Sequence, residues 1–122
     1  MLRTVMATAV VLGAATGLAL AATDAELRLK IVGYWSDNPD CHGAVMVFRG
    51  DGSMVQVDFD TKRIPPMITM ADGTFEIADG RLSGTMNGQA MPTVGLRFED
   101  DRIYFVEGRD ESYLVNCPSG PR

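Results

Sequence analysis

The chain has 122 residues, hydrophobic residues at 46% of its positions and a formal net charge of −5 at pH 7. This length is enough for one compact domain. The acidic balance argues against binding to nucleic acid or to anionic membrane surfaces, because phosphate groups repel a negatively charged protein, and Lys62-Arg63 is the only adjacent basic pair.

The N-terminus has the pattern of an export signal. Arg3 precedes an apolar run from Val5 to Leu20, and small residues stand just before Ala22. The run is short for a membrane span and no basic or aromatic belt follows it, so we prefer a cleaved signal to a retained anchor. We predict a signal peptide over residues 1–21, a single domain over residues 22–122 and a location in the periplasm or outside the cell.

Two cysteines in an exported chain are expected to pair, because the compartment is oxidising. We therefore predict a disulfide between Cys41 and Cys117, the two cysteines of the chain. It ties the segment after the first strand to the last few residues.

The first predicted strand is ambiguous. Apolar residues alternate with polar ones from Leu27 to Trp35, which predicts a strand with Trp35 turned inward. The stretch from Asp24 to Ile31 also suits a short helix, in which case the strand starts as late as Val32.

The next two strands surround a hairpin. Ala44 to Phe48 is apolar on both faces, and Asp51-Gly52 supplies the residues that a tight turn needs. Beyond the turn, alternation predicts that Val55, Val57 and Phe59 face the interior.

The middle of the chain, TKRIPPMITMADG, is less regular. Pro65 and Pro66 lack backbone N–H groups, so this stretch is predicted to be a crossing loop or a bent edge strand. Further strands follow, separated by turns and a turn-rich stretch, NGQAMP. They are centred on Phe75 and Ile77, Leu82 to Met86, Val94 to Phe98, Ile103 to Val106, and Tyr113 to Val115. The fold class is therefore all-β: a small antiparallel meander of seven to eight strands forming a barrel or sandwich, closed by one disulfide.

The stretch LKIVGYW, with Gly33-x-Trp35 on the first strand, resembles the Gly-x-Trp signature of lipocalin-like (calycin) barrels. This resemblance implies that Trp35 closes the barrel floor and that the interior holds a small apolar ligand. The chain is also similar, more distantly, to the periplasmic metalloprotease inhibitors of proteobacteria. In that family an N-terminal tail enters the protease cleft, and the matching stretch here is Ala22 to Arg28.

No catalytic or metal site is predicted. His42 is the only histidine, so a zinc site or a catalytic triad lacks parts, and it is expected to be a loop residue. The carboxylates, such as Asp51 and Asp79, stand at turns, where they bond local backbone groups. We expect no enzyme activity and no cofactor.

Methionine is the compositional exception, and Met67-x-x-Met70 lies in the irregular middle stretch. Thioethers suit Cu(I), so a copper carrier that also uses His42 or Trp35 is one alternative. Filling of gaps in the core and formation of an apolar contact surface are the others.

Together these features predict an exported binding protein without enzyme activity. It would recognise a small apolar ligand or another extracytoplasmic protein at one barrel mouth; the alternatives are a hydrolase inhibitor and a Cu(I) carrier. The residues predicted to bind are Trp35, Ile64, Pro65, Pro66, Met67 and Met70.

Overall fold

A computed structural model describes residues 22–121. The predicted signal peptide, residues 1–21, lies outside the described residues. The described chain forms one α-helix followed by nine β-strands. Their bounds are α1 Asp24–Ile31, β1 Gly33–Ser36, β2 Gly43–Phe48, β3 Ser53–Phe59, β4 Met67–Ala78, β5 Arg81–Met86, β6 Gln89–Ala90, β7 Val94–Glu99, β8 Arg102–Glu107 and β9 Asp110–Asn116.

The strands form one antiparallel sheet that closes into a ring. The order is β4-β3-β2-β1-β9-β8-β7-β5-β6, and β4 also pairs with β5. Eight strands complete the ring, whereas the two-residue β6 pairs with β5 alone among the described strands. The predicted antiparallel all-β fold is confirmed, and of its two alternatives, barrel and sandwich, the closed ring is a barrel. The short strand β6, which lies outside the ring, falls in the stretch that the sequence indicated only as a turn-rich connection.

The segment before β1 is a helix, so the alternation from Leu27 onward was a misleading signal. Thr23 caps it, because its hydroxyl accepts from the Glu26 amide at 3.1 Å while the Glu26 carboxylate accepts from the Thr23 amide at 2.8 Å. Leu27 and Ile31, one turn apart, are buried, and Leu29 is 79% exposed. A strand would have placed all three side chains on one face.

Helix α1 closes one end of the barrel. The Asp24 carboxylate accepts hydrogen bonds of 2.9 Å from the amides of both Asp79 and Gly80, in the β4–β5 turn. The Arg28 guanidinium donates to the Ile77 carbonyl at 2.7 Å. The bonds from Gly80 and Asp79 lower the pKa of Asp24, so the carboxylate that holds the helix in place stays ionised.

The barrel interior is filled by apolar side chains from all around the ring. Partly buried residues, including Met46, Phe98 and Leu114, pack against this core. Its buried members are Leu27, Ile31, Trp35, Phe48, Met54, Ile77, Leu82 and Ile103.

The inward direction predicted for β3 is wrong. Val55 and Val57 pair with Val47 and Val45 of β2 and form a second apolar cluster, whereas Met54 belongs to the core cluster. Alternation places these four valines, and Phe59 with them, on the outer face of the barrel. Both faces of β2 are apolar, and on β3 the polar residues Gln56 and Asp58 share the inward phase of Met54, so the alternation indicated the wrong phase; a shift of one residue reverses every side chain.

Strands β4 and β5 approach each other too closely for side chains at two positions. A Cβ atom at Gly84 would overlap the Thr74 carbonyl oxygen, and one at Gly73 would overlap the Thr85 carbonyl oxygen. Glycine is therefore required at both positions.

The predicted disulfide is present. The Cys41 and Cys117 sulfurs are 1.99 Å apart and their Cα atoms 5.9 Å apart. Cys117 follows β9, and its amide donates to the Tyr34 carbonyl at 2.8 Å. Among residues 22–121 no helix is long and apolar enough to cross a membrane.

Candidate functional site

The loop between β3 and β4 lies at the end of the barrel away from the helix. Helix α1 contacts the turn at Asp79 and Gly80, where β4 ends. Since β4 begins at Met67, the segment before it lies at the opposite end of the barrel. We call residues 60–66 the 60–66 loop.

The backbone of the 60–66 loop bonds to itself. The Asp60 amide donates to the Pro66 carbonyl at 2.8 Å, which joins the two ends of the loop. The Arg63 amide donates to the Asp60 carbonyl at 3.1 Å, and the Lys62 amide donates to the Asp60 carboxylate at 2.9 Å. These bonds make a compact turn rather than an extended excursion.

The Arg63 side chain then fixes this turn to β3. Its guanidinium donates to the Asp58 carboxylate at 2.9 Å, to the Asp58 carbonyl at 2.6 Å and to the Pro66 carbonyl at 3.1 Å. A further bond of 3.3 Å reaches the Pro65 carbonyl. One planar cation therefore bridges the strand and both prolines, which favours this arrangement of the loop.

This fixed loop presents apolar side chains to solvent. Ile64, at the tip, is 97% exposed, and Met67 and Met70 are 47% and 57% exposed. Pro65 and Pro66 lie between them and are exposed as well. Five of the six residues predicted to bind are therefore exposed to solvent within residues 64–70.

The strand that follows the loop has one open side. β3 pairs with Met67–Thr74, whereas β5 pairs with β4 only from Gly73 onward. Within residues 22–121, the side of Met67–Ala71 turned away from β3 has no strand partner. We call Met67–Ala71 the β4 edge. The predicted bent edge strand is correct from Met67 onward, and the two prolines lie just before it.

The β4 edge is bounded at its C-terminal end by a side chain. The Asn87 amide donates to the Asp72 carbonyl at 2.8 Å, and the Asp72 amide donates to the Asn87 side-chain oxygen at 3.1 Å. Met70 is the extra residue of a β-bulge, because Val57 pairs with Thr69 while the preceding residue of β3 pairs with Ala71.

Trp35 lies apart from this surface, in the barrel interior. It is buried, its indole Nε1 donates to the Ile31 carbonyl at 2.7 Å, and its ring meets Phe98 edge-on with centroids 6.0 Å apart. It lines two surface depressions. One, of about 390 Å³, also includes Lys30 and the acidic β7–β8 turn. The other, of about 120 Å³, lies beside Met46 and Gln56.

The residues of the copper hypothesis are only partly brought together. The His42 ring meets Phe59 edge-on with centroids 6.3 Å apart, and Phe59 is the β3 partner of Met67. The indole Nε1 of Trp35 is already bonded inside the barrel. In the part of the chain that the structure describes, no group of three or more His, Cys, Asp or Glu side chains could hold a metal.

The stretch that resembles an inhibitory tail, Ala22 to Arg28, contributes to helix α1 and its cap. Leu27 is buried in the core, and Asp24 and Arg28 bond to the β4–β5 hairpin. Removing this stretch would therefore expose the barrel interior as well as shorten the N-terminus.

The turn carboxylate Asp51 has the local role that the sequence predicted. It accepts from the Ser53 hydroxyl at 2.6 Å and from the Ser53 amide at 2.9 Å. These bonds, from the hydroxyl first, lower the pKa of Asp51. A general acid for neutral pH needs the opposite shift.

No protein-family model, curated protein or solved structure matches this chain.

Sequence reasoning missed two residues that shape the site, Arg63 and Asn87. Arg63 stood out only as half of the basic pair Lys62-Arg63, although Asp58 and Asp60 precede it closely and offer partners. Asn87-Gly88 is a turn signal. The side-chain oxygen of Asn87 also accepts a hydrogen bond from the Asp72 amide, at the point where the β4 edge ends.

Proposed function

We propose that this chain is an exported binding protein without enzyme activity, which recognises a partner protein through the 60–66 loop and the β4 edge. The observation that carries the proposal is Ile64, 97% exposed at the tip of a loop held by the Arg63 guanidinium. An apolar tip on a mobile loop would lose conformational freedom on binding. A tip that is already fixed avoids most of that loss, which favours tight association.

The side chains on this surface suit protein contact. Buried apolar anchors dominate most protein interfaces, and methionine adapts to irregular surfaces. Ile64, Met67 and Met70 supply such anchors within a seven-residue stretch, whose flanks carry the charged residues Arg63 and Asp72.

A partner protein fits this site better than a small apolar ligand. Pockets for drug-sized molecules usually enclose about 300–1,000 Å³. Of the two depressions beside Trp35, the one next to Met46 has only about 120 Å³. The one of about 390 Å³ is lined mainly by charged and polar side chains, namely Lys30, Glu99, Asp100, Asp101 and Asn116, which do not suit an apolar ligand. The barrel interior is occupied by packed side chains. Membership of the lipocalin-like barrels remains part of this proposal, supported by Gly33 and Trp35 on β1.

Site-specific crosslinking in the exporting organism tests the proposal. Benzoylphenylalanine at position 64 should give one discrete adduct with another protein on illumination. The matched control places it at Asp101, an exposed turn residue at the helix-capped end. The same adduct from both positions, or none from position 64, would reject the proposal.

A second variant separates protein contact from copper binding. Replacing Met67 and Met70 by leucine keeps the apolar surface but removes both thioethers. The crosslink from position 64 should persist in this double variant. Its loss, together with loss of Cu(I) binding, would favour the copper carrier instead.

A further inference from the structure

We infer that the β4 edge binds its partner by strand addition: an extended, uncharged segment of the partner pairs antiparallel with Met67–Ala71. This inference rests on the proposed function and adds the mode of recognition. Its basis is the backbone of the edge, in addition to the apolar side chains.

The chemistry of an open edge selects the occupant. A strand presents N–H and C=O groups in turn along its open side, and an extended polypeptide can satisfy them in register. The five residues of the β4 edge, Met67–Ala71, carry no charge. An uncharged segment can therefore dock without leaving a charged group desolvated.

The neighbouring ladder sets the direction. β5 occupies the adjoining part of the same side of β4 and runs antiparallel to it, from Gly73 to Ala78. It ends at Met86, and the chain then turns away through Asn87-Gly88. A segment placed end to end with β5 continues that ladder along the β4 edge.

The length of the edge is limited at both ends. Pro65 and Pro66 precede it and cannot donate ladder hydrogen bonds. At the other end, the backbone amide and carbonyl of Asp72 are already hydrogen-bonded to Asn87. The bulge at Met70 increases the local twist, which disfavours repeated stacking of copies. The edge therefore suits a short segment of about five residues.

The fold supplies a rational probe. The strand Ser53–Phe59, SMVQVDF, already pairs with β4 on its other side, and replacing its one charged residue, Asp58, by asparagine gives the uncharged peptide SMVQVNF. There Val57 lies opposite Thr69 and Phe59 opposite Met67, so these neighbours are compatible across strands. The control is the same peptide with proline at both valine positions, which cannot form the ladder.

Amide hydrogen exchange with the two peptides tests strand addition. At saturating SMVQVNF, exchange of those amides in Met67–Ala71 that point away from β3 should slow by about tenfold or more, while amides of Gln89–Ala90, on the β6 edge, should not change. The proline peptide should protect neither. Met70→Lys, at an exposed position, should fold and abolish the protection, because a charge at an edge blocks pairing.

Three results would overturn the inference: no slowing at the β4 edge, equal slowing with the proline peptide, or undiminished slowing in Met70→Lys. Failure of the inference can be told from failure of the proposed function. If position 64 crosslinks to a protein but neither that complex nor the peptide protects the β4 edge, the function stands and strand addition is wrong. If the peptide protects the edge and no crosslink forms from position 64, the edge chemistry stands and the proposed function is wrong.

Discussion

The indole Nε1 of Trp35 donates a hydrogen bond of 2.7 Å to the carbonyl oxygen of Ile31, and both residues are buried. Ile31 is the last residue of α1, so its carbonyl has no partner within the helix. The tryptophan on β1 thus satisfies the helix terminus and connects the helical cap to the barrel.

Trp35→Phe should lower the free energy of unfolding by about 1–3 kcal/mol, because it leaves the buried Ile31 carbonyl without its donor. Chemical denaturation followed by far-UV circular dichroism measures the change. Tyr34→Phe is the control, since Tyr34 is an exposed neighbour on the same strand. An equal effect of both substitutions would contradict the role of the hydrogen bond.

Gly84→Ala should destabilise the barrel by about 3 kcal/mol or more, since the new Cβ overlaps the Thr74 carbonyl and backbone must move. Gly95→Ala is the matched control: its Cβ would lie 3.6 Å from the Val106 carbonyl oxygen, an ordinary contact. Thermal unfolding of both variants compares them. Similar melting temperatures would show that β4 and β5 do not cross as closely as described.

Removing the disulfide should cost roughly 4 kcal/mol of stability, because Cys41 and Cys117 are 76 residues apart in sequence and close a long loop. The double variant with alanine at both positions should match the reduced wild-type protein in denaturant titrations. It should also be insensitive to added reductant. A wild-type protein whose stability does not change on reduction would contradict the prediction.

The stability contributed by Asp24 should depend on pH at the acid end. Its pKa is lowered from 3.8 by the amides of Gly80 and Asp79, so the contribution is complete above the unfolded value and is lost as pH falls through the lower folded value. Asp24→Asn should therefore reduce the melting temperature above pH 4 and flatten its fall below pH 4. Asp110→Asn, at an exposed strand position, controls for the change in net charge. Parallel curves for wild type and Asp24→Asn would argue against the linkage.

Arg63→Lys should loosen the 60–66 loop without unfolding the barrel, because an ammonium group cannot bridge Asp58 and both prolines at once. Backbone order parameters of the loop, measured by NMR relaxation, should fall from about 0.85 to below about 0.6. Lys62→Ala should leave them unchanged. A loop that stays rigid in Arg63→Lys would show that the backbone bonds of Asp60 suffice.

The barrel was predictable because its signals are local. Turn dipeptides such as Asp51-Gly52 and Asp79-Gly80 punctuate strands whose alternation repeats, and Asp79 and Gly80 both have positive φ angles, as a tight hairpin requires. Two cysteines in one chain left a single pairing.

What the sequence could not decide depends on neighbours in space. Val55 could face either way because Met54 beside it is also apolar. The choice between strand and helix for Leu27 to Ile31 is different, because the capping box Thr23-x-x-Glu26 is a local signal that favours the helix. At the site, Ile64 and its neighbours stood out as an irregular apolar stretch. The bonds from Arg63 that fix the loop depend on side-chain geometry, which no local pattern encodes.

The most direct test of the account compares two substitutions of exposed apolar residues, Ile64→Asp and Leu29→Asp, in binding to the protein that crosslinks from position 64. Both side chains are largely in solvent, at 97% and 79% exposure, so neither change should disturb the fold. Titration calorimetry should show at least about a thirtyfold loss of affinity for Ile64→Asp, as for an interface hot spot, and no change for Leu29→Asp. Unchanged affinity for Ile64→Asp, or an equal loss for both, would contradict recognition through the 60–66 loop.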